Sequence, residues 1–348
     1  MIKCLGQTIL FLAKFVDITS HQNSTLMLRT LFGLGLIMVI LFPSCREEQA
    51  DWQAQAKQLR TKIISYLLAQ QQQDGSWRST THGILKGGVA YTAYLSDALR
   101  ESGDSLVRQK HMDQAIFFLL SQRDSNGVVG YRNQYVVEYP VYANAYFYKM
   151  LPHLSVAFDT IISPYAELYL LQQQFTEQRG IGPEHPAYGA WGFGEESLPK
   201  GQVGHVDLSH TRRVMEALAS VRGDDQPKWN AVADFLRRIQ NEDGGFCSSS
   251  YTLGANKADN QEQQCKSYAT ATADGILALL SLPEPPLERV EAAANWLIQH
   301  EGWEAPSGIS PNQPGDWDKV LFFYPLAVKA QAYAKLETLN LLPSHTQV

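Results

Sequence analysis

Apolar residues recur every three or four positions along most of the chain after residue 50, which is the spacing of one face of an α-helix. Trp52, Ala56, Leu59, Ile63 and Tyr66 form the first such series, and strand-like alternation is scarce. A second periodic segment follows each polar, glycine-containing break, so the pattern predicts five helical hairpins. The first helices are predicted at 52–71, 108–122, 159–175, 226–240 and 286–299, and their partners at 87–102, 138–152, 207–222, 267–282 and 317–336.

Each predicted first helix ends on a similar phrase, in which an aromatic residue or leucine precedes a glutamine and then a glycine. The glutamines are Gln70, Gln122, Gln173, Gln240 and Gln299, at spacings of 51 to 67 residues. Glycine can adopt the left-handed conformation that ends a helix, and glutamine can bond the backbone groups left open there. An aromatic residue that follows the glycine can bury its ring and seal the turn. This recurring unit predicts a repeat architecture.

Two of the phrases, Gln71 to Trp77 and Gln240 to Phe246, resemble the QW motif of squalene and oxidosqualene cyclases and the related repeats of protein prenyltransferase beta subunits. The segment from Ser267 to Leu279 is similar to the start of an inner helix in that superfamily, and the resemblance covers about residues 52–336. It implies an all-α fold, an α/α toroid in which an inner and an outer ring of helices surround a central cavity. Residues 46–348 would form this single domain.

The stretch from Met27 to Cys45 has one positive charge, an uninterrupted apolar run and then small residues before the cysteine. This order is typical of an export signal and resembles a bacterial lipoprotein signal, in which Cys45 becomes the lipidated first residue. We therefore predict that residues 1–45 are a leader, with Met27 as a second start. The mature chain would be exported and membrane-anchored, facing the periplasm or the cell surface. A non-cleaved N-terminal membrane anchor is the alternative.

Composition and charge narrow the choice of partners. The chain is 45% apolar, which is enough for a sizeable core, and its formal net charge is −6 without a basic run. Nucleic acid is therefore not a predicted partner. Cys247 and Cys265 are the two cysteines after the leader, and in an oxidising compartment they either pair or remain thiols.

The catalytic motifs of the two resembled families are incomplete. Cyclases protonate an alkene with the middle acid of an Asp-x-Asp-Asp motif, and the nearest match is Asp316-Trp-Asp318-Lys319, in which Lys319 replaces the last acid. A neighbouring cation favours an ionised Asp318, so helix capping is the alternative role for these aspartates. Asp318 is retained as a catalytic candidate.

Prenyltransferase beta subunits bind zinc with an Asp-x-Cys pair and the histidine of a later Asp-x-x-His-Thr. The segment Asp207-Leu-Ser-His210-Thr211 resembles the second motif, and Cys265 resembles the zinc cysteine, but Gln263 stands where the aspartate would be. The order of the two motifs is also reversed. Two ligands are fewer than a zinc site requires, so no metal or other cofactor is predicted.

The starts of inner helices are where side chains of a toroid converge, and helix N-termini favour anionic groups. Asp207 and His210 are candidate acid–base partners there, with plainer roles as a helix cap and an interior histidine as the alternatives. A long insertion at 179–205, rich in glycine and aromatics, is a candidate cavity lid. The candidate ligand-binding residues are His82, Glu138, Tyr139, Tyr142, His185, Trp191, His205, Tyr268, Asp274 and Tyr324.

Two functional hypotheses follow from these residues. In the first, the chain is an enzyme that acts on a terpenoid, lipid or glycan in the toroid cavity, with Asp207 and His210 transferring protons. In the second, it is a non-catalytic toroid that binds an apolar ligand or a protein partner.

Overall fold

The computed structural model describes residues 52–81, 85–130, 139–153, 156–194, 198–220, 227–258, 265–300, 302, 306–311 and 316–342. Over these ranges the chain has eleven α-helices and no β-strand, which confirms the predicted all-α class. The leader with Cys45, and the candidates His82 and Glu138, lie outside the described residues, so what was predicted for them stays a prediction.

The chain divides into two compact units, residues 70–343 and the remainder, and α1 (52–69) belongs to the latter. The helices of the larger unit are α2 (Val89–Ser102), α3 (Gln109–Ser121), α4 (Pro140–Met150), α5 (Val156–Gln172), α6 (Leu208–Ser220), α7 (Trp229–Ile239), α8 (Ala269–Leu279), α9 (Leu287–Gln299), α10 (Trp317–Val320) and α11 (Phe323–Thr338). These bounds follow the apolar periodicity closely. The last predicted helix is an exception, because the chain breaks at Leu321 and Phe322 into α10 and α11.

The helices of the larger unit form two layers. The second helices of the hairpins pack in series, α2 on α4, α4 on α6, α6 on α8 and α8 on α11. Every residue of α8 is buried. The first helices are amphipathic: α7, for example, buries one face that includes Phe235, Leu236 and Ile239. A buried layer of second helices is thus covered by a half-exposed layer of first helices.

A glutamine side chain joins each of three turns to the following repeat. The Nε2 of Gln71 donates to the carbonyl of Gly75 (3.0 Å) in its own turn and to that of His111 (2.8 Å) in α3. Gln240 donates likewise to Gly244 (3.0 Å) and to Arg289 (3.0 Å) in α9.

The third glutamine makes the same two contacts across a much longer loop. Gln174 donates to the carbonyls of Gly189 (3.1 Å) and Lys228 (3.3 Å), and its Oε1 accepts from the Lys228 amide (2.9 Å). Each amide therefore satisfies a turn and the start of the next first helix together.

The residue two positions after each turn glycine is held by a polar side chain of the second helix. The backbone amides of Trp77, Trp191 and Phe246 donate to threonine hydroxyls at 2.9, 3.1 and 3.0 Å. These are Thr92, Thr211 and Thr272, each at the fourth position of its helix. In the second repeat Asn144 replaces the threonine, accepting from Val129 N (3.1 Å) and donating to Val129 O (2.6 Å).

The turn glycines allow the turn to approach the next first helix closely. Gly189 has φ 90° and Gly75 has φ 88°, a region that side chains with a Cβ rarely adopt. A Cβ on Gly189 would overlap the carbonyl of Ala231, and one on Gly75 that of Gln114. Both carbonyls lie on the helix that also accepts the glutamine bond.

The predicted register of the glutamine phrase is wrong by one residue in two repeats. The bridging residues are Gln71 and Gln174 rather than Gln70 and Gln173, because the amide must stand four residues before the glycine carbonyl when no insertion intervenes. The side chain of Gln122 donates only to the hydroxyl of its neighbour Ser121 (3.0 Å) among the contacts in the described residues. Arg123 occupies the bridging position of that repeat, and Gln299 is exposed at the end of α9.

Cys247 and Cys265 form a disulfide, with Cα atoms 5.4 Å apart and a sequence separation of 18. The pairing thus decides between the two alternatives left open for these residues. The bond tethers the segment after Phe246 to the stretch that leads into α8. Across the described residues, no helix has both the length and the apolarity needed to cross a membrane.

We predict that Gln240→Ala lowers the free energy of unfolding by about 2 kcal/mol, because it leaves two partly buried carbonyls without a donor. Gln122→Ala is the matched control and should change it by less than about 0.5 kcal/mol. Urea unfolding of both variants measures the difference. Equal losses in the two variants would contradict the bridging role of Gln240.

We predict that Cys247→Ser with Cys265→Ser lowers the free energy of unfolding by about 3 kcal/mol, since the disulfide closes a loop of this length. Urea unfolding with and without dithiothreitol measures the effect. The reductant should destabilise the wild-type chain to the level of the double variant and leave the variant unchanged. A wild-type chain with two free thiols by mass spectrometry would contradict the prediction.

Candidate functional site

The candidate site begins at the N-terminus of α6, where Asp207 immediately precedes the helix. Its Oδ1 accepts hydrogen bonds from the backbone amide of His210 (2.8 Å) and from the hydroxyl of Ser209 (2.9 Å). These contacts are those of a helix cap, because they satisfy an amide that has no partner within the helix. The segment after Cys247 supports the same start, since the carbonyl of Ser248 accepts from the amide of Leu208 (2.8 Å).

Two imidazoles share the Asp207 carboxylate. His205 Nε2 lies 2.6 Å from Oδ2, and His210 Nδ1 lies 3.0 Å from Oδ1 and 3.1 Å from Oδ2. Burial alone would raise the pKa of Asp207, but the charges and hydrogen bonds of His210 and His205 hold it well below its usual range. Because an ionised carboxylate only accepts, we assign the Nδ1 hydrogen of His210 to this bond, which leaves Nε2 as the acceptor of the neutral ring.

Aromatic rings surround the other side of His210. Its ring centroid lies 4.8 Å from that of Phe193, 5.5 Å from Tyr139 and 5.6 Å from Tyr142, and Phe193 also stacks on His205 at 3.9 Å. His210 is only 6% exposed, and its Nε2 is a buried polar atom with no hydrogen-bond partner among the described residues. A buried nitrogen of this kind usually has a partner, so a histidine held in this way is a candidate for ligand contact.

One turn further along α6, Arg213 lies against a second aromatic group. Its guanidinium carbon is 5.6 Å from the ring centroid of Tyr142, 5.9 Å from Tyr146 and 5.7 Å from Tyr324. It also contacts Asp274 (3.4 Å) and donates to the Tyr324 hydroxyl (3.2 Å). Since these residues come from α4, α6, α8 and α11, four second helices converge here.

Asp274 is the acidic centre of this group. Its Oδ1 lies 2.6 Å from Arg212 Nε, and Tyr324 donates to its Oδ2 at 3.0 Å. Burial raises the pKa of Asp274 to about 7, against the opposing effects of Arg213 and of the hydrogen bond from Tyr324. Arg212 is also paired with Glu216 (2.6 Å), so both buried arginines have carboxylate partners.

The structure brings together most of the candidates predicted at helix starts. Asp207, His210, His205, Tyr139 and Tyr142 form the histidine cluster, which Tyr142 joins to the Arg213 group with Asp274 and Tyr324. Tyr268 is buried at the start of α8, and burial raises the pKa of its hydroxyl above the usual range.

The remaining described candidates lie elsewhere. His185 contacts the ring of Tyr251 at 4.9 Å, and Trp191 is wholly buried with its Nε1 donating to the Leu170 carbonyl (2.7 Å). Asp318 lies in the first turn of α10, and within the described residues it is not bonded to Asp207, His210 or Asp274. Binding or catalytic roles for these three stay predictions.

Phe193 and Arg213, like Tyr146 and Arg212, belong to the site but were not predicted from the sequence. Arg213 stands three residues after His210, a spacing that places both on one face of α6 and would have identified it. Phe193 lies two residues after Trp191 in the glycine-rich insertion, where no periodicity distinguishes an aromatic that faces the site from one that fills the core.

The residues that resemble a zinc site do not fit one. The sulfur of Cys265 is bonded to Cys247, and the Nδ1 of His210 faces Asp207. No group of three or more histidine, cysteine, aspartate or glutamate side chains among the described residues could hold a metal ion. Gln263 lies outside those residues. Comparison with known proteins adds no assignment: no protein-family model matches the chain, and no curated protein does.

We predict that Asp207→Asn lowers the free energy of unfolding by about 2 kcal/mol at pH 7, because it removes a buried acceptor shared by two histidines. Since the pKa is lowered in the folded chain, this contribution is present above about pH 4 and is lost as the pH falls further. The difference in free energy of unfolding between Asp207→Asn and the wild type should therefore decrease from about pH 4 to pH 2.

Urea unfolding of the variant and the wild type at a series of pH values measures this difference in free energy of unfolding. Asp234→Asn is the control, because Asp234 pairs with Arg237 at the surface, and it should change stability by less than about 0.5 kcal/mol. A difference in free energy of unfolding that stays constant from pH 7 to pH 2 would contradict an ionised Asp207 that accepts from both histidines.

Proposed function

We propose that the chain is an enzyme with the α/α-toroid architecture of the squalene cyclase and prenyltransferase superfamily, in which His210 transfers protons to and from a ligand. The observation that carries this proposal is the buried Nε2 of His210, oriented by the Asp207 carboxylate and enclosed by aromatic rings. A histidine with this support can accept a proton while the carboxylate stabilises the imidazolium that forms.

The toroid itself is supported by the packing of the second helices in series and by the meeting of their side chains around Arg213. The resemblance of the glutamine phrases to QW motifs points in the same direction. In that arrangement the His210 cluster would line the central cavity, with Asp207 and His210 at the start of one inner helix.

The surroundings of His210 favour a ligand with an apolar body and a proton-donating group. Phe193, Tyr139 and Tyr142 present ring faces and edges, which suit a terpenoid, a lipid or the apolar face of a sugar. His205 is one-quarter exposed at the edge of the cluster and could contact the same ligand. Export and lipidation at Cys45 would place this enzyme at a membrane, where such ligands are abundant.

A non-catalytic toroid that binds an apolar ligand or a protein partner is the second candidate. It is favoured by one observation, the structural use of Asp207 as a helix cap. In that case the Asp207–His210 pair would only stabilise α6 and position the aromatic rings.

Turnover of a membrane-lipid extract by the purified chain, followed by mass spectrometry over time, distinguishes the two candidates. We expect His210→Ala to reduce product formation by about 10²-fold or more, as loss of a general base does. His153→Ala is the matched control, because His153 is exposed three residues after the end of α4, and it should retain wild-type turnover. Circular dichroism checks that both variants fold.

Wild-type turnover in His210→Ala would exclude the proton-transfer role. If the wild-type chain retains a lipid from the extract without changing it, the non-catalytic candidate is favoured instead.

A further inference from the structure

Helix α1 carries an exposed apolar face. Trp52 is 69% exposed, Leu59 59%, Ile63 50% and Tyr66 64%, whereas Ile64 is only 4% exposed. At ~100° per residue, the four exposed residues fall within an arc of about 60°. The helix therefore presents a continuous apolar stripe, a feature that marks an interaction surface.

The charge of α1 differs in sign from that of the whole chain. Residues 52–69 contain Lys57, Arg60 and Lys62 and no aspartate or glutamate, although the chain has a net charge of −6. On the same helical projection, Arg60 and Lys62 lie on opposite flanks of the apolar stripe. Neither Lys57 nor Lys62 forms an ion pair within the described part of the chain.

We propose that this face of α1 is a binding site for the surface of an anionic phospholipid bilayer. An apolar stripe of Trp, Leu, Ile and Tyr can enter the boundary between headgroups and acyl chains, while the flanking cations contact anionic headgroups. A second copy of the chain seated face to face would bring two such helices of the same charge together, which is unfavourable. Charge complementarity therefore selects the bilayer as the occupant.

The site is independent of the lipid predicted on Cys45, although the two would act together. Cys45 and the start of α1 at Trp52 are seven positions apart, which limits their separation to about 25 Å of extended chain.

Flotation of the predicted mature chain, residues 46–348 without the leader and without Cys45, with lipid vesicles tests the α1 site in the absence of both the acyl group and the apolar leader. We expect binding to vesicles of phosphatidylcholine with about one-quarter phosphatidylglycerol, and much weaker binding to phosphatidylcholine alone. Adding Leu59→Ser with Ile63→Ser should weaken binding on the order of 30-fold. Phe117→Ser, at a residue 64% exposed on α3, is the matched control and should leave binding unchanged.

The two flanking cations provide a second readout. Arg60→Gln with Lys62→Gln should reduce the preference for anionic vesicles, and 0.5 M salt should do the same to the parent chain. Absence of vesicle binding by the parent chain, or equal binding of the parent and Leu59→Ser/Ile63→Ser chains, overturns the proposal. It is also overturned if the serine variant changes only the oligomeric state, which would identify the face as a contact between copies.

Discussion

Irregular backbone that is buried must find hydrogen-bond partners, and three turns of this chain are buried from their glycine onward, at Gly75, Gly189 and Gly244. Bonds of the turn to itself do not satisfy all of its carbonyls. A glutamine amide supplies two hydrogens, and in three turns it uses one for its own glycine carbonyl and the other for the next first helix. The same glutamine side chain therefore satisfies the turn and joins two repeats. The spacing of the hairpins depends on this pair of hydrogen bonds.

The threonine contact extends this constraint to the second helices. Because Thr211 bonds both the amide and the carbonyl of Trp191, the first turn of α6 has a fixed position relative to the preceding turn. Asp207 and His210 lie in that first turn, and Arg213 lies one turn further along the same face. The site is therefore positioned by backbone bonds of the repeat, while its aromatic neighbours come from α4 and from the insertion.

The helices were predictable because apolar periodicity reports directly which side of a helix is buried. The contacts between repeats were harder to predict. The predicted glutamines were chosen by their spacing from an aromatic residue on the same helix face. The glutamine that bridges two repeats is instead selected by its distance from the turn glycine, so Gln71 and Gln174 were missed. Thr92 and Thr272 lie 15 and 26 residues after the amides they accept from, and threonine in a helix has no distinctive local pattern. Asp207 and His210 were found because Asp207-Leu-Ser-His210-Thr211 resembles a prenyltransferase motif and stands at the start of a predicted helix.

The two buried carboxylates near α6 differ in what they can do chemically. A class II cyclase needs a protonated acid facing an alkene, and Asp274 is the nearer to protonation because burial raises its pKa to about 7. Its oxygens, however, already accept from Tyr324 and contact Arg212 and Arg213. Asp207 stays ionised, since His210 and His205 lower its pKa, and the Nε2 of His210, beside the aromatic rings, has no hydrogen-bond partner among the described residues. An acceptor for protons is thus better supported in this site than a donor strong enough to protonate a hydrocarbon.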